Sequence, residues 1–223
     1  MNTKLFLQAI IKFVLGLIIV ALLLFIPAGS INYINAWLFL GLLFIPMFIG
    51  GIILMKKNPE LLEKRLNAKE KEKEQKEVVI LSGLMFIFGF VIAGLNYRFN
   101  WIILPNYIVI ISSILFIISY ILYAGVLREN AYLSRTIEVQ DNQKVIDTGL
   151  YKIVRHPMYS ITILLFLTMP LILNSIISFV IFLIYPIIIS KRIINEEELL
   201  EKKLKGYKEY KRKIKYKLIP FIW

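Results

Sequence analysis

The stretch GLYKIVRHPMYS (149–160) carries the only histidine of the chain, His156, between Arg155 and Pro157 and beside Tyr151 and Tyr159. Further on, RIINEEELL (192–200) supplies Arg192 and the adjacent Glu196 and Glu197. A guanidinium or imidazole can hold a carboxylate by charge-assisted hydrogen bonds, and carboxylates accept from ammonium or hydroxyl groups. The two clusters together suit a small polar ligand bearing both charges, with His156 or a glutamate able to take a proton. Singly, each residue has a plainer use. Arg155 can snorkel to lipid headgroups, Pro157 can start a helix, and the tyrosines can belong to an interfacial aromatic belt. What matters is whether the fold brings the clusters together.

The elements that would have to do so are apolar. The 223 residues are 58% hydrophobic, with a mean hydropathy of +0.72, which fits a polytopic membrane protein. Four stretches contain no Asp, Glu, Lys or Arg: Phe13–Met55, Val78–Tyr97, Phe99–Leu127 and His156–Ser190. A crossing needs about 20 residues. The first stretch therefore holds two spans (13–27 and 36–55), turning at PAGSINYIN, and the next two hold one each (78–96 and 105–126). Because a second span follows the first directly, the opening run is expected to be a retained helix, not a cleaved signal. Cysteine is absent, which excludes thiolate chemistry and Cys-based metal sites, and one histidine speaks against a zinc cluster.

The net charge of +12 is unevenly spread, with eight Lys or Arg in 56–77, five in 128–155 and eleven in 191–217. The two other loops hold none and one. This is the positive-inside distribution of a multi-pass protein of the cell membrane with both termini cytoplasmic, and it leaves no role for nucleic acid. Segment 56–77 reads as a partly helical connector without chemistry. Within 128–148, the alternating runs TIEV and KVID flank the polar turn QDNQ and predict a small β-hairpin.

The run Pro157–Ser190 decides the architecture. As one helix it would span about 50 Å against a hydrocarbon core of about 30 Å, and it would strand the basic tail on the wrong side. Pro170 and Asn174-Ser175 mark where it would fold back. A helical hairpin then returns the tail to the side of Arg155 and His156. On a helix through 191–205, Ile193, Leu200 and Leu204 form a stripe with Glu197 in its middle, a costly place for a carboxylate unless something charged meets it. The expected fold is all-α: a membrane bundle of five to six helices with a C-terminal hairpin and a cytoplasmic amphipathic tail. Residues 1–127 form the four-span region and 128–223 the catalytic one.

GLYKIVRHPMY, an apolar hairpin, RIINEEELL and then GYKEYKRKIKYKLIP resemble the isoprenylcysteine carboxyl methyltransferase and phospholipid methyltransferase superfamily, as do NAWLFLGLL and NPELLEKR of its bacterial members. The resemblance implies an integral-membrane enzyme that uses S-adenosylmethionine without a Rossmann fold, and no strand–GxGxxG–helix unit is present. It places Arg155, His156, Pro157, Tyr159, Glu196 and Glu197 around the cofactor. We add Tyr151 of the same motif, and assign catalytic roles to Arg155, His156 and Arg192. The implied acceptor is hydrophobic or lipidated, either the carboxyl group of an isoprenylcysteine-like substrate or a lipid amine, reached among membrane lipids. The GxG element of the phospholipid branch is missing here, which counts against the amine. An alternative activity is NADPH-dependent reduction of lipid or sterol double bonds. A non-catalytic or transporter role ranks last, because the first four spans carry no charged residue.

Overall fold

A computed structural model describes residues 3–66, 73–133, 136, 137 and 139–223. The helices are α1 (Thr3–Ala28), α2 (Ile34–Lys57), α3 (Pro59–Leu66), α4 (Lys73–Phe99), α5 (Asn106–Glu129), α6 (Pro157–Ile172), α7 (Ile176–Phe182), α8 (Tyr185–Lys203) and α9 (Tyr207–Lys213), with a 3-10 turn at Gly149–Lys152. Helices α1, α2, α4 and α5, and the α7–α8 stretch Ile176–Lys203, are each long and apolar enough to cross a membrane. The shorter α6 is equally apolar, so the chain is a polytopic helical membrane protein.

The predicted turn in the last apolar run is present. Helix α6 ends at Ile172, Asn174 takes the left-handed conformation (φ 58°), which asparagine tolerates better than most residues, and Ser175 Oγ caps α7 by accepting from Ser178 N. Helix α7 stops at Phe182, just before Pro186, whose missing N–H and ring exclude an uninterrupted helix there.

Contacts at the tip show how deep the hairpin reaches. Tyr33 Oη donates to Leu173 O at 2.5 Å, Asn35 Nδ2 to Ile172 O at 2.9 Å and Asn96 Nδ2 to Asn174 O at 3.1 Å. The Leu104 amide donates to Asn174 Oδ1 at 2.6 Å. The tip is thus level with the α1–α2 and α4–α5 loops, at the end of the bundle opposite Arg155. Each of these bonds satisfies a backbone or amide group where water is scarce, which is the governing demand in a bilayer.

Helix α4 is the centre of the bundle, touching α1, α6, α7 and α8. Its glycines permit this. A Cβ at Gly94 would lie 2.6 Å from Leu24 O, and one at Gly89 would lie 2.2 Å from the Phe182 ring. Phe39, Phe90, Phe116 and Phe182 fill the middle.

Two expectations for the polar segments need restating. The β-hairpin is not formed: among the described residues of 130–148 no strand occurs, Glu138 of TIEV lying outside them. The turn itself is there, with Asn142 at φ 57° and Gln143 N donating to Gln140 O at 3.1 Å. The loop is held by its own side chains: Gln143 Oε1 accepts from Gln140 N at 2.9 Å, and Gln140 Nε2 donates to Tyr132 O at 2.8 Å. The connector 56–77, of which 67–72 lie outside the described residues, also does more than link spans. In α3, Leu61 and Leu62 are buried, Lys64 Nζ donates to Gln140 Oε1 at 2.6 Å, and Arg65 donates to the Tyr123 hydroxyl.

Because α1 and α4 touch through backbone at Gly94, Gly94→Ala should lower the melting temperature in detergent by the equivalent of about 1–3 kcal/mol. Gly83→Ala, where an added Cβ meets nothing within 4 Å, should leave it unchanged or raise it, through the better helix propensity of alanine.

Candidate functional site

The site begins where the chain enters α6. His156 is the N-cap residue and Pro157 the first helical position, where its fixed φ and missing N–H cost nothing. Just before the helix, the backbone pairs with the tail: Arg155 N donates to Tyr216 O and His156 N to Lys217 O, both at 2.9 Å. The tail segment 214–218 therefore runs as a strap across the start of α6, and Ser160 Oγ extends the pairing to Leu218 O at 2.6 Å.

Glu197 lies beneath the strap. As the periodicity of α8 predicts, Ile193, Glu197, Leu200 and Leu204 are all buried, and the carboxylate is met by cations. Arg155 Nε donates to Glu197 Oε1 at 2.6 Å, and His156 Nε2 lies 3.2 Å from the same oxygen. Lys211 and Lys217 stand 3.6 and 3.9 Å from Oε2. The Arg155 Nη1 donates to the Ile214 and Lys215 carbonyls, at 2.7 Å each. Since an ionised carboxylate only accepts, His156 Nε2 is assigned as the donor, which leaves Nδ1 as the acceptor of the neutral ring.

A second polar chain runs alongside. Arg192 Nε donates to Tyr159 Oη at 3.0 Å, and Tyr159 Oη donates to Glu196 Oε2 at 2.6 Å. The rings of Tyr159 and His156 stack with centroids 5.7 Å apart. The 3.6-residue period thus divides the two glutamates, Glu197 turning into the core with Arg155 and Glu196 onto the wall with Arg192.

These residues border a cleft of about 820 Å³, counting its open mouth. Tyr151, Arg155, His156, Tyr159, Arg192 and Glu196 line it. Pro157 and Glu197 stand behind the lining and hold it in place. One wall is not evident in the residue pattern, the 130–146 loop with Asn130, Gln143 and Lys144. Tyr207 and Tyr210 of α9, which the motif GYKEYKRKIKYKLIP offers either for the pocket or for packing on the membrane, also line the cleft. Asn130 Nδ2 donates to Tyr151 Oη at 2.9 Å, and Tyr210 Oη donates to Tyr151 O at 2.8 Å. The Tyr207 hydroxyl is buried on the cleft wall without a hydrogen-bond partner among the described residues. Burial, reinforced by the charges of Glu197 and Glu196, pushes its pKa well above the ordinary phenol range, so it is a neutral donor at physiological pH. Spacing in a lysine-rich tail carried no signal for that orphan.

The paired clusters on one cleft, joined by an apolar hairpin, make the comparison with known families informative. Residues 109–202 match the isoprenylcysteine carboxyl methyltransferase (ICMT) family. The resemblance read from the motifs is thereby supported. The match takes in the Arg155–Tyr159 motif, the hairpin and both glutamates, and it stops short of Tyr207 and the strap. No curated protein matches the chain. The residues that match the family thus supply most of the charged wall, and α9 beyond them adds Tyr207 and Tyr210.

Removing one partner of a buried charge pair leaves the other without compensation, at a cost of about 3–5 kcal/mol. Glu197→Ala should therefore lower thermal stability in detergent by that order even without ligand. Arg155→Lys should do nearly as much, since lysine cannot serve Glu197 and two carbonyls from one planar fork. Glu198→Ala, on the exposed side of α8, should change little.

Proposed function

We propose that this protein transfers a methyl group from S-adenosylmethionine to a hydrophobic or lipidated acceptor, at the membrane face that carries its basic loops. The observation that supports this most directly is the convergence of the Arg155–Tyr159 motif and the Arg192–Glu197 motif on one cleft, at the level where α6 leaves the apolar layer. The positive-inside distribution argues that this face is cytoplasmic, with both ends of the chain on it.

The chemistry of the cleft fits the donor. S-adenosylmethionine presents a carboxylate, an ammonium, ribose hydroxyls and an aromatic base, and when bound it supplies an electrophilic methyl group on a sulfonium. Arg192 is the cation for the carboxylate, and Glu196 accepts from the ammonium or the ribose. The Tyr207 hydroxyl, lacking a partner among the described residues, gains one from the donor. Arg155 has a different part, because its Nε and Nη1 are taken up by Glu197 and the strap. It and Glu197 are positioning residues, which keep His156 oriented and the strap in place.

What the chain must do to an acceptor depends on the nucleophile. A carboxylate needs no base, so the protein's contribution is alignment and exclusion of water. For an amine or thiol, His156 Nδ1 would take the proton, its Nε2 remaining on Glu197. Met158, Leu200 and Leu204 line the same cleft and offer the apolar contact that a lipid-like acceptor requires.

Cofactor binding separates this reading from a reductase. S-adenosylhomocysteine should raise the melting temperature in detergent, because a ligand at a hundredfold its Kd adds about 2.7 kcal/mol to the folded state, and NADPH should not. Tyr207→Phe should weaken that binding about tenfold, the value of one hydrogen bond of 1–1.5 kcal/mol, with ligand-free stability maintained. Membranes incubated with methyl-labelled donor should transfer label to a lipid or lipidated fraction. Stabilisation by NADPH alone, with no label transferred, would overturn the proposal.

A further inference from the structure

Beyond the strap lies a surface that the proposed chemistry does not use. Leu218 is buried in the main core, and its carbonyl is bonded to Ser160 in the first turn of α6. The residues that follow therefore emerge where α6 enters the apolar layer. They form a closed turn, in which Trp223 O accepts from the amides of Lys217, Leu218 and Ile219 at 2.9, 2.9 and 3.1 Å.

This turn presents apolar side chains outward. Phe221 is 86% exposed, Ile222 76% and Ile219 50%. Phe221 also has φ 68°, a left-handed conformation that bulky residues seldom adopt without compensation. Tyr216 touches its ring on one side, which leaves most of it uncovered. Cations surround the turn. Lys217 Nζ sits 4.5 Å from the centre of the Trp223 ring, and segment 202–217 carries nine Lys or Arg against one Glu. Exposed Phe, Ile and Trp backed by dense positive charge, at the depth where a bundle meets headgroups, match an anionic lipid surface: rings and aliphatics enter the acyl boundary while lysines reach phosphates.

We propose that the 219–223 turn inserts into the anionic leaflet facing the cleft, and that insertion holds the strap against the backbone of Arg155 and His156. The mechanical link is short. The turn is bonded to Lys217 and Leu218, and the carbonyls of Tyr216 and Lys217 accept the Arg155 and His156 amides. Holding the turn at the boundary therefore fixes the backbone that orients His156. The insertion is independent of which ligand the cleft takes, while the effect on the cleft rests on the methyl-donor reading.

The test uses the full chain in nanodiscs of phosphatidylcholine, alone or with roughly one phosphatidylglycerol in four. With Trp37→Phe and Trp101→Phe, Trp223 is the sole tryptophan. Its fluorescence should be quenched by lipids brominated high on the acyl chain, more so with phosphatidylglycerol, and should be shielded from aqueous iodide. Phe221→Asp combined with Ile222→Asp should reverse both responses. In anionic nanodiscs the same pair should weaken S-adenosylhomocysteine binding about threefold or more, with the melting temperature in detergent unchanged. Quenching by iodide but not by bromolipid would overturn the proposal, and so would protection from both, which would mean that protein covers the turn. Normal quenching with unaltered ligand affinity in the double variant would overturn the coupling to the strap. Failure of the unsubstituted protein to bind S-adenosylhomocysteine would instead count against the methyl-donor reading and leave the quenching result standing.

Discussion

Glu197 is a carboxylate 3% exposed on a helix whose neighbouring stripe is apolar, and such a charge persists only if its field is matched. The Arg155 guanidinium does most of the matching, with His156, Lys211 and Lys217 around it. A point charge would have met one carboxylate. A planar fork meets the carboxylate and two strap carbonyls together. The site's three separate pieces of chain, the entry to α6, the middle of α8 and the 214–218 strap, are thus tied to one residue, and the cleft walls take their positions from it.

That tie is available only because the last apolar run folds back. Helix α6 leads away from the charged face and α8 returns to it, and the tip is fastened to both far loops through Tyr33, Asn35, Asn96 and Asn174. In an environment without water every such group has to find a protein partner. The polar residues at the tip therefore act as a depth stop, and they determine which residues of α6 and α8 face each other at the opposite end. The glycines of α4 set how closely α1 and α7 approach it.

The cleft also divides by origin. Its charged wall and the 130–146 loop, which α3 props through Lys64, lie within the residues that match the ICMT family, whereas the cover given by Tyr207 and Tyr210 of α9 lies beyond them. The wall is made of buried, mutually bonded groups and is rigid for that reason. The cover rests on lysine-rich segments at the membrane boundary, where small energies decide position.

The crossings, the charged face and the return of the last run were legible from charge spacing and length, because a bilayer of fixed thickness turns composition into geometry. Glu197 stood out for a similar reason, since helical period alone puts it among Ile193, Leu200 and Leu204. Other features had no such one-dimensional signature. The fate of TIEV and KVID depended on tertiary context, in which Gln140 and Gln143 bond within the loop in place of a ladder. The division of labour between Glu196 and Glu197, the engagement of Arg155 with strap carbonyls and the orphaned Tyr207 hydroxyl all depend on which side chains meet across elements distant in the chain. Period and hydropathy specify the face on which a residue sits. Only the packed bundle decides what stands opposite, because that follows from contacts summed over the whole core.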